Sequence, residues 1–396
     1  MKILQLCSRV AFPPSDGGTV AMYNMARDLI GKGVELNVLA LNPLKQRIDI
    51  QNIPEEIRIC PIEAVDVDTN VTFGGAVKNF ILNKSYVLSR FDVPKMHEKL
   101  QQILLRGNYD VVQLEGLQMT SYIKTIRLFS KAKVVFRPHN VEHHIWQGNA
   151  DNELNPIKRS YLKSLALQLK RYELEVLKKI DALVTISPID ADFFADAGYH
   201  VPSYTAITGI DLKKFVPDSS NTEVPSVFHV GAMDWEPNVK GMEWFLKNVW
   251  PKVTPLDRSA RFYLAGKNMP QSLKDVSLPN YVNLGEVPDL REFINSKQIM
   301  VVPLFSGSGI RIKILEGMAL GKTVIASPQA LQGIKYKGGS NLFIAQSKEE
   351  FVEKIIRCLG DPKLCAEVGI NARKLAEEYF DKDKIANKLI TFYQSL

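Results

Sequence analysis

A chain of 396 residues is long for one compact core, so two domains are the default. Apolar residues make up 45% and charged residues 23%, an ordinary globular composition; the net charge of +7 suits an anionic substrate or membrane surface and is too weak to imply nucleic acid. No apolar run approaches the roughly 20 residues that span a bilayer, and Cys7, Cys60, Cys358 and Cys365 form no CxxC pair, which points to a reducing, cytoplasmic setting.

The opening "KILQLC" reads as a strand rather than a signal peptide, because Arg9 interrupts any longer apolar stretch. A turn-rich loop ends in Gly17 and Gly18, where backbone amides can approach a phosphate or sugar closely. An amphipathic helix "TVAMYNMARDLIGKG" follows, stopped by Gly33. "VELNVLAL", "YDVVQLEG", "AKVVFRPH" and "DALVTIS" continue as buried strands, the last after a long helix from about Pro156 to Lys179. Asp66 and Asp68 in "AVDVDTN" have the spacing of a cation-binding DxD, but nothing glycine-rich or basic accompanies them, so the segment reads as a solvated turn. Residues 73–91, "FGGAVKNFILNKSYVLSRF", form a basic amphipathic stretch. It either packs its apolar face on the core or lies on an anionic membrane as a peripheral contact.

"TGIDLKKFVPDSSNTEVPS" has no periodicity and marks a domain boundary. The expected division is 1–212 and 213–380, with a terminal helix over 381–396 packing back on the first domain. Beyond the boundary "SVFHVGAM", "ARFYLAG", "YVNLGEV", "QIMVVPL", "TVIAS" and "NLFIA" form a second strand series, and the tail is helical. Strand–helix alternation of this kind predicts parallel sheets with helices on both faces, and two such domains in tandem imply a cleft that binds ligands.

Two segments carry candidate chemistry. In "PLFSGSGIRIKILEGMALGKTVIAS", apolar residues recur at helical spacing from Ile310 to Leu320, so a glycine loop runs into a helix that holds Arg311, Lys313 and Glu316. Charges in so apolar a helix are costly unless paired or bound to something. An open helix start carries roughly +0.5 of a charge; with Arg311 and Lys313 beside Ser308 and Gly309 it makes a diphosphate site, and Glu316 can accept from vicinal hydroxyls. The plain alternative is a Lys313–Glu316 pair within the helix. In "RPHNVEHHIW", His139, Glu142 and His143 spell HxxEH, an inverted zinc-peptidase motif that requires both histidines on one helix. His139 follows an apolar strand and Pro138, where a loop is expected.

The ordered series of Gly17–Gly18, "RPHNVE", "TGIDLKKF", "GAMDWEPNVKGMEWF", "VNLGEVPDLREF" and "SGSGIRIKILEGMALGKTVIAS" resembles the retaining glycosyltransferases of glycosyltransferase family 4. That resemblance implies an α/β fold of GT-B type, two Rossmann-like doubly wound domains facing each other across a cleft. It implies transfer of a sugar from a UDP- or GDP-linked donor to a glycan or lipid-linked acceptor, in the synthesis of envelope polysaccharide or glycolipid such as lipopolysaccharide, at the inner face of the membrane. No metal, other cofactor or nucleic acid is implied. Glu316 takes the position of the second glutamate of an E-x7-E motif, which binds the donor ribose, while Ser308 stands where the first glutamate belongs. Ala232 follows Gly231 where relatives often have arginine. Lys240 is implied to carry one diphosphate charge and Arg311 or Lys313 the other, with Gly309 and Ile310 at the helix start. His139 is implied to contact the transferring sugar, and backbone around Gly285 and Val287 the base. The competing readings are a non-catalytic subunit that binds sugar nucleotide or glycan, and a zinc metallopeptidase.

Overall fold

The computed structural model describes residues 1–14, 17–70, 86–198, 200–307 and 309–396; Ser308 and most of the stretch 73–91 lie outside the described residues. The chain divides into two compact units, Met1–Thr208 with Ala386–Leu396, and Gly209–Ile385. The bridge Ile210↔Asp381 joins the two linking segments inside the second unit, so the boundaries fall at Thr208 and Ile385 rather than at 212 and 380.

Among the described residues the first unit holds a seven-stranded sheet of β1 (Lys2–Cys7), β2 (Glu35–Pro43), β3 (Ile62–Val67), β4 (Val111–Glu115), β5 (Lys133–Arg137), β6 (Ala182–Thr185) and β7 (Ser203–Thr205), in the order β3-β2-β1-β4-β5-β6-β7. The second holds a six-stranded sheet of β8 (Ser226–Val230), β9 (Arg261–Ala265), β10 (Tyr281–Gly285), β11 (Ile299–Val302), β12 (Thr323–Ala326) and β13 (Phe343–Ile344), in the order β10-β9-β8-β11-β12-β13. Every pairing is parallel. Each unit is therefore an α/β domain of Rossmann type. Strands covered on both faces read as unbroken apolar runs, and all of β4, β8, β11 and β12 is buried.

The departures from expectation are local. Residues 62–67 are an edge strand, not a turn: Val65 and Val67 face inward while Asp66 stays exposed and accepts from Asn42 and Arg47. The alternation is that of a half-covered strand. The first helix begins at Gly17 instead of after the glycine pair. All four cysteines are free and buried. No helix among the described residues is long and apolar enough to cross a membrane.

The last helix, Lys382–Gln394, sends its terminal turns into the first unit. There the Phe392 ring stacks on Tyr204, and the buried Tyr393 hydroxyl donates to Gln113 Oε1 at 2.5 Å. Tyr393→Phe strips the buried Gln113 carbonyl of its donor, which should cost about 1–3 kcal/mol of stability. A urea midpoint unchanged from wild type would show that the bond contributes nothing.

Candidate functional site

In an open parallel sheet, ligands bind outside the carboxyl ends of the strands where the strand order reverses. That point lies between β1 and β4 in the first unit and between β8 and β11 in the second. Most of the residues singled out in the sequence follow one of these strand ends.

In the second unit, β8 ends at Val230 and the chain turns at Gly231. A Cβ at position 231 would lie 2.4 Å from Lys313 Nζ and 2.9 Å from Asn238 Nδ2, so only glycine leaves room for that ammonium. The Lys313 ammonium donates to Asn238 Oδ1 at 2.7 Å and meets His229 Nε2 at 3.2 Å. His229 Nδ1 bonds the Val301 carbonyl at 2.7 Å, so it carries the proton and Nε2 accepts from the lysine. Asn238 is oriented by its own amide, which donates to the Ala232 carbonyl at 2.8 Å. The protein thus engages the ammonium through Asn238 and His229.

The helix carrying Lys313 runs from Ile312 to Ala319, starting two positions later than the apolar spacing suggests. Gly307 and Gly309 both have positive φ, 95° and 85°, so the turn consumes the residues up to Ile310. Arg311 is the N-cap, and its buried guanidinium folds back to donate to the Gly309 carbonyl at 2.7 Å and lies over the Trp235 ring at 5.0 Å. It braces the loop. Gly309 and Ile310 therefore precede the helix rather than form its first turn.

Burial works against both charges of this helix. Lys313 is pushed down to about 7, first by desolvation and then by Arg311, with Glu316 opposing. Glu316 is pushed up to about 7 by desolvation, partly offset by Lys313. Asn238 and His229, not Glu316, are the lysine's hydrogen-bond partners, so the plain intrahelical pair does not form. Lys240 lies elsewhere: its side chain is 67% exposed and paired with Glu236 at 2.6 Å. Gly285, with φ +63°, ends β10 and its carbonyl accepts from the Gly266 amide at 2.7 Å, while Val287 follows half-buried.

In the first unit, β4 ends on Glu115, which is completely buried. Gln5 Nε2 donates to Oε1 at 2.7 Å, Gln113 Nε2 also donates to Oε1, and Arg137 Nη1 donates to Oε2 at 2.8 Å. His139 Nε2 completes the set at 2.5 Å from Oε2. Desolvation would raise this carboxyl, yet Arg137 and His139 outweigh it and hold it near 2. A carboxylate against Nε2 makes that nitrogen the protonated one and leaves Nδ1 as acceptor. His139 lies between β5 and the helix Glu142–Asn152, lining a cavity, whereas His143 is on that helix and bonds buried Glu173 at 2.6 Å. The two histidines serve different carboxylates and do not share a helix, and no group of three metal-ligating side chains occurs among the described residues. HxxEH is not a zinc site here.

Glu115, Gln113, His229 and Asn238 were not singled out in the sequence. A signal existed for three of them, since Gln113 and Glu115 in β4 and His229 in β8 are polar residues in largely apolar strands, and a polar group there must have a partner.

The comparisons with known proteins agree with this architecture. Residues 224–361 match the family model described as glycosyl transferases group 1. HepE (Alr3699) of Anabaena, solved in complex with UDP, superposes with a TM-score of 0.69 at 16% identity over 100% of both chains. Sucrose-phosphate synthase of Thermosynechococcus elongatus does so with a TM-score of 0.69 at 15% identity, over 100% of this chain and 99% of that one. An uncharacterized 44.6 kDa protein in the cps region of Klebsiella pneumoniae is 25% identical over 304 residues, 74% of this chain and 77% of its own length. The solved neighbours show that the fold is GT-B, and the family-model match over residues 224–361 supports a group 1 glycosyltransferase.

The Glu316 carboxyl binds its proton more tightly in the folded chain than in the unfolded one, so between pH 4.5 and about 7 stability falls as pH rises. Glu316→Gln removes this titration. The variant should gain stability relative to wild type across that window, by about 1–3 kcal/mol at roughly 1.4 kcal/mol per pH unit less solvent screening. Urea midpoints at pH 5 and 7.5 read the difference, and a difference independent of pH would sink the assignment.

Proposed function

We propose that the chain is a retaining, metal-independent glycosyltransferase that moves a sugar from a nucleoside-diphosphate sugar to a glycan or lipid-linked acceptor. The observation that carries this reading is the Lys313 ammonium, held by Asn238 and His229 against Gly231 at the second unit's switch point, one turn ahead of Glu316. An anion is what such a site lacks. The diphosphate of the donor supplies it, facing the ammonium and the first amides of the Ile312–Ala319 helix. Glu316 accepts from the ribose hydroxyls, and backbone around Gly285 and Val287 meets the base.

In the reaction the bond from the sugar's anomeric carbon to the diphosphate oxygen breaks, and the acceptor oxygen bonds to that carbon on the same face. The acceptor's proton passes to the departing phosphate. Negative charge grows on the diphosphate as the bond breaks, and donors already in place stabilise it without reorganising. Lys313 takes the part that the resemblance gives to Lys240, because Lys313 is fixed at the switch point while Lys240 is exposed beside Glu236. Arg311 acts on the loop rather than on the ligand. His139, its Nε2–H fixed on Glu115, presents Nδ1 as an acceptor for a hydroxyl of the transferring sugar. HepE was solved with UDP, so UDP is the first nucleotide to test. The relative in a cps region supports an acceptor in surface polysaccharide synthesis.

Thermal unfolding with UDP, GDP or ADP, each with and without EDTA, tests the donor site. A nucleotide present at about 100 times its dissociation constant adds about 2.7 kcal/mol to the native state, so one of the three should raise the midpoint whether or not EDTA is present. Glu316→Ala and Gly231→Ala should abolish that rise, the second because a methyl group displaces the Lys313 ammonium. No stabilisation by any nucleoside diphosphate ends the transferase reading. Glu115→Gln should keep nucleotide affinity and lower kcat by about 10- to 100-fold, the usual cost of losing the partner that orients an imidazole. Turnover at the wild-type rate would remove His139 from the chemistry, and binding with no turnover in wild type would favour a non-catalytic subunit.

A further inference from the structure

The first unit contains a cavity of about 570 Å³ at its own switch point. It opens where β1, β2, β4 and β5 end, and His139 lines it. Arg9 reaches it from the loop after β1, Lys45 from the turn after β2, and Arg90 from the end of the short helix Tyr86–Ser89. Arg90 is anchored there by donating to the Thr69 carbonyl at 2.8 Å. Among the described residues of the lining, Glu142 is the one carboxylate. Burial raises the Glu142 proton affinity, partly offset by the Trp146 indole, which donates to its Oε1 at 3.4 Å.

Arginine and lysine donate hydrogen bonds and accept none. A neutral sugar, whose hydroxyls both give and take, is poorly served by three such groups converging from separate elements. A phosphate or carboxylate, which only accepts, is well served, and arginine matches its geometry two bonds at a time. We propose that this cavity binds an anionic group of the acceptor, a phosphate or a uronate carboxylate, and so makes the enzyme selective for acidic acceptors. The inference rests on the transferase reading, because His139 in the same lining is what ties the cavity to sugar transfer. It commits to the acceptor's anion, the donor's diphosphate being assigned to Lys313 in the second unit.

Inorganic pyrophosphate is the probe, titrated into the full chain with and without saturating UDP and followed through the histidine ring signals in 1H–15N spectra, with His139→Gln identifying the His139 resonances. The expected result is a saturable shift of the His139 signals that persists when UDP is bound. Lys45→Ala and Arg9→Ala should each weaken it by about tenfold, the loss of one charge-assisted bond, while UDP titrates as in wild type. Lys45 is exposed, so its variant keeps the fold, and unchanged UDP binding verifies that. Three results overturn the proposal: no saturable shift, displacement of pyrophosphate from His139 by UDP, or a loss of UDP affinity in Lys45→Ala equal to the loss of pyrophosphate affinity. The displacement result would make the cavity part of the donor site. Pyrophosphate binding without binding of any nucleotide keeps the anion cavity and removes the transferase reading instead, so the two failures are told apart.

Discussion

A parallel sheet with helices on both faces hides its strands but leaves one gap, where neighbouring strands send their connections to opposite sides. Each unit of this chain has one such gap, β1 beside β4 and β8 beside β11. The rest of the functional architecture depends on them. The strands are largely apolar because both faces are covered, and two of the four at the gaps carry a polar side chain at or beside their carboxyl end. Glu115 is the last residue of β4 and His229 the next-to-last of β8. The first switch point is lined by Arg9 and Gly116, and the second by Gly231, the residue that a side chain could not replace without moving Lys313.

The two gaps treat buried charge in opposite ways. Glu115 has donors on both carboxylate oxygens, stays ionised, and is therefore rigid. A charge so fully partnered has nothing left to offer a ligand; its effect is to fix the orientation and tautomer of His139. Lys313 and Glu316 are supplied less generously, and both drift toward neutrality near pH 7. Groups left short of partners at a strand end bind best to something that restores their charge. On the proposed reading a diphosphate does so for the lysine, and its arrival would favour the protonated ammonium. Completed networks therefore mark positioning residues, and incomplete ones mark ligand contacts.

This distinction also sets what the sequence could reveal. Alternating apolar runs and amphipathic helices are local, and the elements of both sheets followed from them except at edges, where β3 and β7 are short or half-exposed. The start of the Ile312–Ala319 helix was misplaced because Gly307 and Gly309 carry the chain through positive φ, and because Arg311 is drawn out of the helix by Trp235, far away in sequence. Lys240 and Lys313 could not be ranked from sequence. Each follows a glycine turn, and only packing shows that one meets solvent and Glu236 while the other meets Asn238 and His229. Glu115 was within reach, since a carboxylate closing the apolar run "VVQLE" must be partnered.

The Ala232 position shows how the charge of such a site can be moved without being lost. The resemblance expects an arginine just after Gly231, reaching the donor diphosphate from the strand end. Alanine there offers only its backbone, yet its carbonyl orients the Asn238 amide, and the other end of that amide accepts from Lys313. His229, one residue before Val230, fixes the ammonium from beneath through a ring that burial keeps neutral. The lysine thus arrives from the helix at the place the strand-end residue leaves empty, in van der Waals reach of Gly231. A cation supplied from this helix needs a bare glycine in front of it, since a Cβ at 231 would lie 2.4 Å from Lys313 Nζ. Glycine at 231, asparagine at 238 and lysine at 313 therefore stand together: a side chain at 231 or loss of the Asn238 amide would displace the ammonium.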